Sequence, residues 1–357
     1  MKTYTKFLLY NFFISFIKVS AVLTILIFII NIFEEIDFFK KYDVHLIFPI
    51  IVSLLNTPSI IFEIFPFIFL ITTQIFFIKL IESNELKIFK YSGLNNFKIL
   101  TIISIFSFVL GLIIIGPYYN FSSKVKNQYI KIKNSYSKDN KYLAVITENG
   151  LWIKDELNNK INIINASKIE SEFLINVTIT QFDKNQKFIK FIESNKIDIS
   201  KNEWVIYSPI INENNETRTQ DIYTLKTNYN LNKIQNLFSD LLSLSIYDLY
   251  KLKKNYQKLN YSIIDIEMHL NRVFSYPFYL TIITVLGGIL MFNIGYQKNS
   301  IFKIILGIFI SVIVYYLSYF FYALGSNEKI SMIPAIWLPL FLLAIINLSF
   351  IIKINEK

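Results

Sequence analysis

The sequence predicts an α-helical membrane protein with six transmembrane helices, arranged three and three, around an inserted all-β domain of jelly-roll type. Three observations carry that prediction. Hydrophobic residues make up 53% of the 357 positions and mean hydropathy is +0.43, too apolar for an ordinary soluble domain. Six stretches approach or exceed the roughly 20 apolar residues that a helix needs to cross a bilayer. Between the third and fourth lies a polar segment of about 150 residues, which alternates with the period of β-strands.

The spans are expected at 8–33, 54–79, 99–118, 273–295, 302–324 and 333–353. The first follows a basic start, is longer than a signal-peptide core and lacks a small-x-small cleavage pattern, so it is expected to be retained. This divides the chain into a first membrane half, 1–118, a β-domain with a connecting helix, 119–262, and a second membrane half, 263–357. Lysine placement sets the orientation. Lys2, Lys6, Lys79, Lys87, Lys90, Lys98, Lys298, Lys303, Lys353 and Lys357 fall on one side; only Lys40, Lys41 and Lys329 fall on the other. Both termini are therefore expected in the cytoplasm and the large domain outside.

Within that domain, "SEFLINVTITQF" places Phe173, Ile175, Val177 and Ile179 on one strand face, followed by the turn signal "DKNQ". Further strands are expected at "KYLAVIT", "GLWIKDE", "KINIIN", "KFIKFIES", "KIDIS", "EWVIYS" and "DIYTLKT". Short strands at this spacing favour a sandwich or roll. "LSIYDLYKLKKNYQKLN" switches to a helical period, with Ile246, Leu249, Tyr250, Lys253 and Tyr256 on neighbouring turns. It reads equally as an amphipathic connector or as a plain solvated helix.

Composition removes several classes of chemistry. The formal charge is +10, but the lysines flank apolar runs instead of forming the basic stripe of a nucleic-acid binder. Without cysteine there are no disulfides, thiolate metal sites or cysteine nucleophiles. Two histidines, His45 and His269, make a histidine-rich metal centre a poor expectation. No G-x-x-x-x-G-K-[ST] segment exists, and nine glycines leave little material for a phosphate cradle. Sequence-adjacent acids such as Glu34–Glu35 and Asp155–Glu156 diverge on helix or strand, which suits general acid–base pairing badly. No catalytic residue, metal or cofactor of its own is therefore expected.

Three polar clusters near the spans stand out. Glu34, Glu35, Asp37, Lys40 and Lys41 follow the first span, and the simplest reading ends that span near Phe33 with the charges solvated. Glu267, His269 and Arg272 open the fourth span as an interfacial polar cluster, with His269 and Arg272 expected to snorkel. The third is "IESNELKIFKYSGLNN", from residue 81. Residues 82–92 lack proline and glycine, Leu86 and Phe89 share a face, and Gly93 is placed as a C-terminal stop. The leading Glu82 and Glu85 and trailing lysines suit the helix dipole. Such a helix, about 81–93, serves either as a knob for a cytoplasmic partner or as an interfacial helix on lipid headgroups.

The chain resembles the permease subunits of the lipopolysaccharide-export ABC transporter, the LptF/LptG family (YjgP/YjgQ-like). The matching segments are "LLNTPSIIFEIFPFIFLI", "NELKIFKYSGLNN", "NGLWIKD" and "EMHLNRVFSYP", in order on a matching layout; the second and third favour the LptG subunit. The resemblance implies an inner-membrane subunit that extracts lipopolysaccharide, with a periplasmic jelly roll passing it toward outer-membrane biogenesis. Implied partners are a dimeric LptB-like cytoplasmic ATPase that hydrolyses the ATP, an LptF-like second permease, and LptC-like and LptA-like bridge proteins. In that scheme Glu82, Glu85, Leu86, Phe89 and Gly93 form the ATPase-coupling element, Leu86 and Phe89 being its apolar contacts. Lys40 and Lys41 match a basic position suited to substrate phosphates. Glu34 departs from the pattern, standing where some members carry lysine. Other readings are a membrane-anchored periplasmic sensor or scaffold, another type of ABC permease, and a membrane enzyme with a carboxylate near the outer interface.

Overall fold

The computed structural model describes residues 3–136, 151–157, 160–170, 172–184, 187–213, 216–231, 234, 240–258, 262–293 and 300–355. The chain separates into two compact units, one of residues 1–126 and 264–357, the other of residues 127–263.

The first unit is helical. Its elements are α1 (Thr3–Phe39), α2 (Ile47–Glu82), α3 (Glu85–Tyr91) and α4 (Asn96–Ile113), which runs through a π-helical turn (Ile114–Tyr118) into α5 (Tyr119–Tyr136), whose residues beyond 126 belong to the other unit. The second half adds α7 (Ile264–Asn293), α8 (Ser300–Ser326) and α9 (Met332–Asn355); α6 belongs to the other unit. Six helical stretches are long and apolar enough to span a bilayer. Helices suit that solvent because they satisfy every interior backbone group within the segment. The spans outrun the apolar stretches seen in sequence: α1 continues past Phe33 to Phe39, and α2 begins at Ile47.

The two most buried spans are α2 and α7, and local chemistry explains how they pack. Pro66 removes the N–H that would bond the Phe62 carbonyl, and the Tyr276 hydroxyl of α7 donates to that carbonyl instead. Gly111 of α4 lets the Pro277 backbone come close; a Cβ there would stand 2.8 Å from Pro277 Cα. One turn before Gly111, Thr284 Oγ1 donates to Ser107 Oγ at 3.0 Å.

Lysines gather at one end of this bundle. Lys79 Nζ donates to Asn11 Oδ1 at 2.9 Å, Gln74 Nε2 donates to the Lys303 carbonyl at 2.8 Å, and the Phe7 and Phe89 rings meet at 5.9 Å. The start of α1, the end of α2, α3 and the start of α8 therefore share an end.

The second unit carries β1 (Leu151–Leu157), β2 (Lys160–Glu170), β3 (Phe173–Asp183), β4 (Phe188–Asp198), β5 (Glu203–Tyr207), β6 (Ile210–Glu213), β7 (Glu216–Thr219) and β8 (Ile222–Lys226). All described pairings are antiparallel. β1 to β4 form a meander, and the sheet then forks. One edge of β4 holds β5 at residues 196–198 and β6 at residues 190–193, leading to β5–β8 and β6–β7 branches.

Three strand expectations need correction. "KFIKFIES" and "KIDIS" are a single strand, β4. β6 and β7 were not legible as strands; β7 is exposed throughout and carries no apolar alternation. The face assigned to Phe173, Ile175, Val177 and Ile179 also changes phase. Asn176 adopts φ 49, so Leu174, Val177 and Ile179 are buried while Phe173 and Ile175 are half-buried. The same phase change occurs in β2 at Ser167 and in β4 at Asn195, the residues flanking Asn176 in register. "KYLAVIT" lies outside the described residues.

Polar residues lock this core. Trp204 is fully buried and its Nε1–H donates to the Tyr229 carbonyl at 2.9 Å. Buried Asp155 of β1 accepts from Asn228 Nδ2 at 2.8 Å. The helix α6 (Ile246–Lys258) is capped by Ser245, whose hydroxyl donates to Asp248 at 2.6 Å. Its inner face is Leu249 and Leu252, whereas Tyr250 is exposed.

Candidate functional site

The element joining α2 to α4 is built by two left-handed residues. Asn84 (φ 57) ends the first helix run and restarts the chain as α3; Gly93 (φ 82) stops α3. Asparagine and glycine tolerate that region best. Asn95 then caps α4, its side chain accepting from Lys98 N at 2.9 Å.

The faces of α3 differ from the expectation. Leu86 is 1% exposed and is turned into the membrane unit, Leu94 is buried behind it, and Phe89 is half-buried against Phe7. Leu86 and Phe89 are thus anchors of the element. Its outward face is Lys87, Ile88, Lys90 and Tyr91, with Tyr91 90% exposed. Glu85 opens the helix half-buried; its Oε2 is buried and makes no hydrogen bond. Glu82 is exposed at the end of α2. Glu85 and the apolar positions were visible in sequence, but which apolar positions face outward depended on where the chain re-enters the bundle.

At the opposite end of α1, Lys40 and Lys41 are exposed in the turn after the helix, and Glu34 is exposed before them. Glu35 corrects the solvated reading, being 1% exposed on helix that continues beyond Phe33. Nearby lies a polar network that sequence reasoning missed. Asn56 Nδ2 donates to Asn31 Oδ1 at 3.1 Å, and Lys126 Nζ donates to Asn56 Oδ1 at 2.7 Å, tying α1, α2 and α5 together. The available signal was an asparagine inside each of two apolar runs, "FIINIF" and "SLLNTP".

The cluster Glu267, His269 and Arg272 is not one site. His269 is buried, with Nε2 2.8 Å from the Tyr119 hydroxyl. Arg272 lies with its guanidinium over the Tyr322 ring at 5.8 Å from the centroid. Glu267 is half-buried and forms no ion pair with Arg272. Neither His269 nor Arg272 snorkels to a free surface. Arg272 instead lines a cavity between α2, α7, α8 and α9.

Among the described residues no group of His, Cys, Asp and Glu is arranged to hold a metal ion. What the first unit presents is a spanning bundle with a docking-sized protrusion at its lysine-rich end. A model of the lipopolysaccharide export system permease LptF/LptG matches residues 6–353. The chain belongs to the LptF/LptG family. No curated protein matches it. Membership makes the chain a permease subunit of a lipopolysaccharide export system, a multi-pass transporter component.

Proposed function

We propose that this permease is driven by a separate cytoplasmic ABC ATPase that seats on α3 and its flanking turns. The observation that carries the proposal is the construction of that element: it is anchored from inside by Leu86, Leu94 and Phe89, yet keeps Ile88 and Tyr91 in the open. An exposed isoleucine and tyrosine beside Lys87 and Lys90 make an amphipathic knob of the kind that protein grooves bury. Because α3 packs on α2 and, through Phe89, on Phe7 of α1, movement imposed on the knob reaches those spans directly. Coupling then requires only that the two arrangements of this contact differ in energy.

The remaining parts of the proposal follow the lysine asymmetry and the family. Both termini and α3 lie in the cytoplasm, by the positive-inside tendency. The β-domain lies in the periplasm, where edge strands offer pairing sites to LptC-like and LptA-like bridge proteins. An LptF-like permease completes the complex, this chain taking the LptG role. Lys40 and Lys41 contribute positive charge toward lipopolysaccharide phosphates, next to a Glu34 that works against it.

The test is co-purification of the tagged chain from its host in mild detergent, beside a Glu85→Lys form. An ATPase and a second six-span permease are expected with wild type, and the ATPase is expected to be lost with Glu85→Lys. A correctly folded wild type that retains no ATPase would overturn the reading in favour of a passive membrane anchor for the β-domain.

A further inference from the structure

Arg272 and Glu63 pose a problem that the transport role leaves unsolved. Both are half-buried on spanning helices, Glu63 on α2 and Arg272 on α7, and both line one cavity of about 190 Å³. Among the described residues neither has an ion-pair partner within 4.0 Å, and they do not pair with each other. Both lie within electrostatic reach of Tyr276, which stands between their helices. Charge at membrane depth is costly and is ordinarily matched by an opposite charge or by water.

Depth and lining narrow the choice. Glu63 stands roughly 28 Å of helix from the Glu82 end of α2, and Arg272 roughly 31 Å from the Asn293 end of α7. Those two ends belong together, since the Phe77 and Phe292 rings meet at 4.8 Å. Both charges therefore sit at about the same height in the bundle, roughly 30 Å of helix from that end, a distance comparable to one hydrocarbon thickness. Pro66, Phe67, Pro339 and Leu340 add apolar surface to the lining, and Tyr315 and Tyr322 are among the tyrosines that face it. Ser318 Oγ, also on the lining, is buried beside Tyr279.

We propose that this cavity binds the headgroup of a phospholipid carrying both a phosphate and a primary ammonium, with the phosphate on Arg272 and the ammonium between Glu63 and the tyrosine rings. The charges demand that combination. A purely anionic headgroup satisfies Arg272 but is repelled by Glu63, and a purely cationic one has the converse problem. A guanidinium is suited to phosphate oxygens, and an ammonium gains both from a carboxylate and from tyrosine faces. The apolar lining then takes the start of an acyl chain. Water is the alternative occupant: the volume suits about six molecules, but it leaves two opposite charges merely hydrated in a largely apolar site.

The full chain, delipidated in mild detergent, is titrated with dioleoylphosphatidylethanolamine or dioleoylphosphatidylglycerol, and bound lipid is counted by native mass spectrometry. The two lipids share the phosphodiester and differ in the ammonium. One ethanolamine lipid is expected to be retained, with about tenfold preference over the glycerol lipid. Glu63→Gln, nearly isosteric, is expected to erase the preference, Arg272→Met to lose both lipids, and Arg272→Lys to keep part of the retention. Thermal melting of each variant separates misfolding from lost binding. Equal retention of the two lipids, an unchanged preference in Glu63→Gln, or no lipid retained would overturn the proposal. Displacement by added lipopolysaccharide would also overturn it, by placing the cavity in the substrate path.

Discussion

Leu86→Ala and Tyr91→Ala divide stability from coupling within one short helix. Both residues lie on the seven-residue α3, yet Leu86 is 1% exposed and Tyr91 90%. Truncating Leu86 removes three carbons from the interior, a transfer loss of roughly 2.4 kcal/mol at about 0.8 kcal/mol per methylene. The space left behind raises the cost into the range of about 2–5 kcal/mol. Tyr91 has almost no intramolecular contact to lose, so its truncation should alter stability by less than about 0.5 kcal/mol. Binding reverses the order. A tyrosine at the centre of an interface costs about 2 kcal/mol or more when truncated, which is roughly a thirtyfold loss of affinity. The assay pairs the melting temperature of the full chain in mild detergent with titration of the purified ATPase. Leu86→Ala should melt several degrees early; Tyr91→Ala should melt with wild type and bind the ATPase weakly. Wild-type melting in Leu86→Ala would refute the anchor assignment, and wild-type ATPase affinity in Tyr91→Ala would refute the docking face.

Two further substitutions test the bundle itself. Asn56→Leu removes the bonds to Asn31 and Lys126; intramembrane polar bonds average about 0.6 kcal/mol each, so a loss of about 1–2 kcal/mol is expected in unfolding by added denaturing detergent. Gly111→Ala places a methyl 2.8 Å from Pro277 Cα, whereas Gly116→Ala meets nothing within 4 Å. The first should cost about 1–3 kcal/mol by overpacking and lower the melting temperature, and the second should leave it unchanged.

Six spans and a central β region were readable because hydrophobic length and period-2 alternation are local properties, written in consecutive residues. Phe173, Ile175, Val177 and Ile179 show where that reading ends. Their alternation predicts one face, but the left-handed Asn176, matched by phase changes in both neighbouring strands, moves Phe173 and Ile175 off it. A coordinated change across three strands is not a property of any one of them. β6 and β7 were missed for the same reason: their pairing is imposed by β4 and by each other.

The sequence by itself marked the apolar spans and the polar segments between them, the stop at Gly93 and the uneven distribution of lysines, since each depends on residue type and spacing alone; the break at Asn84 appeared only in the structure. Tertiary structure decided which side chains of α3 are anchors and which are offered outward. It also carried α1 beyond Phe33 so that Glu35 is buried, paired His269 with Tyr119, and brought Glu63 and Arg272, more than two hundred positions apart, to one cavity. The physical reason is that an apolar helix in a bilayer has no preferred face. Only the close contacts of neighbouring helices, made through residues such as Gly111, Pro66 and Tyr276, choose its rotation and so choose what its few polar residues meet.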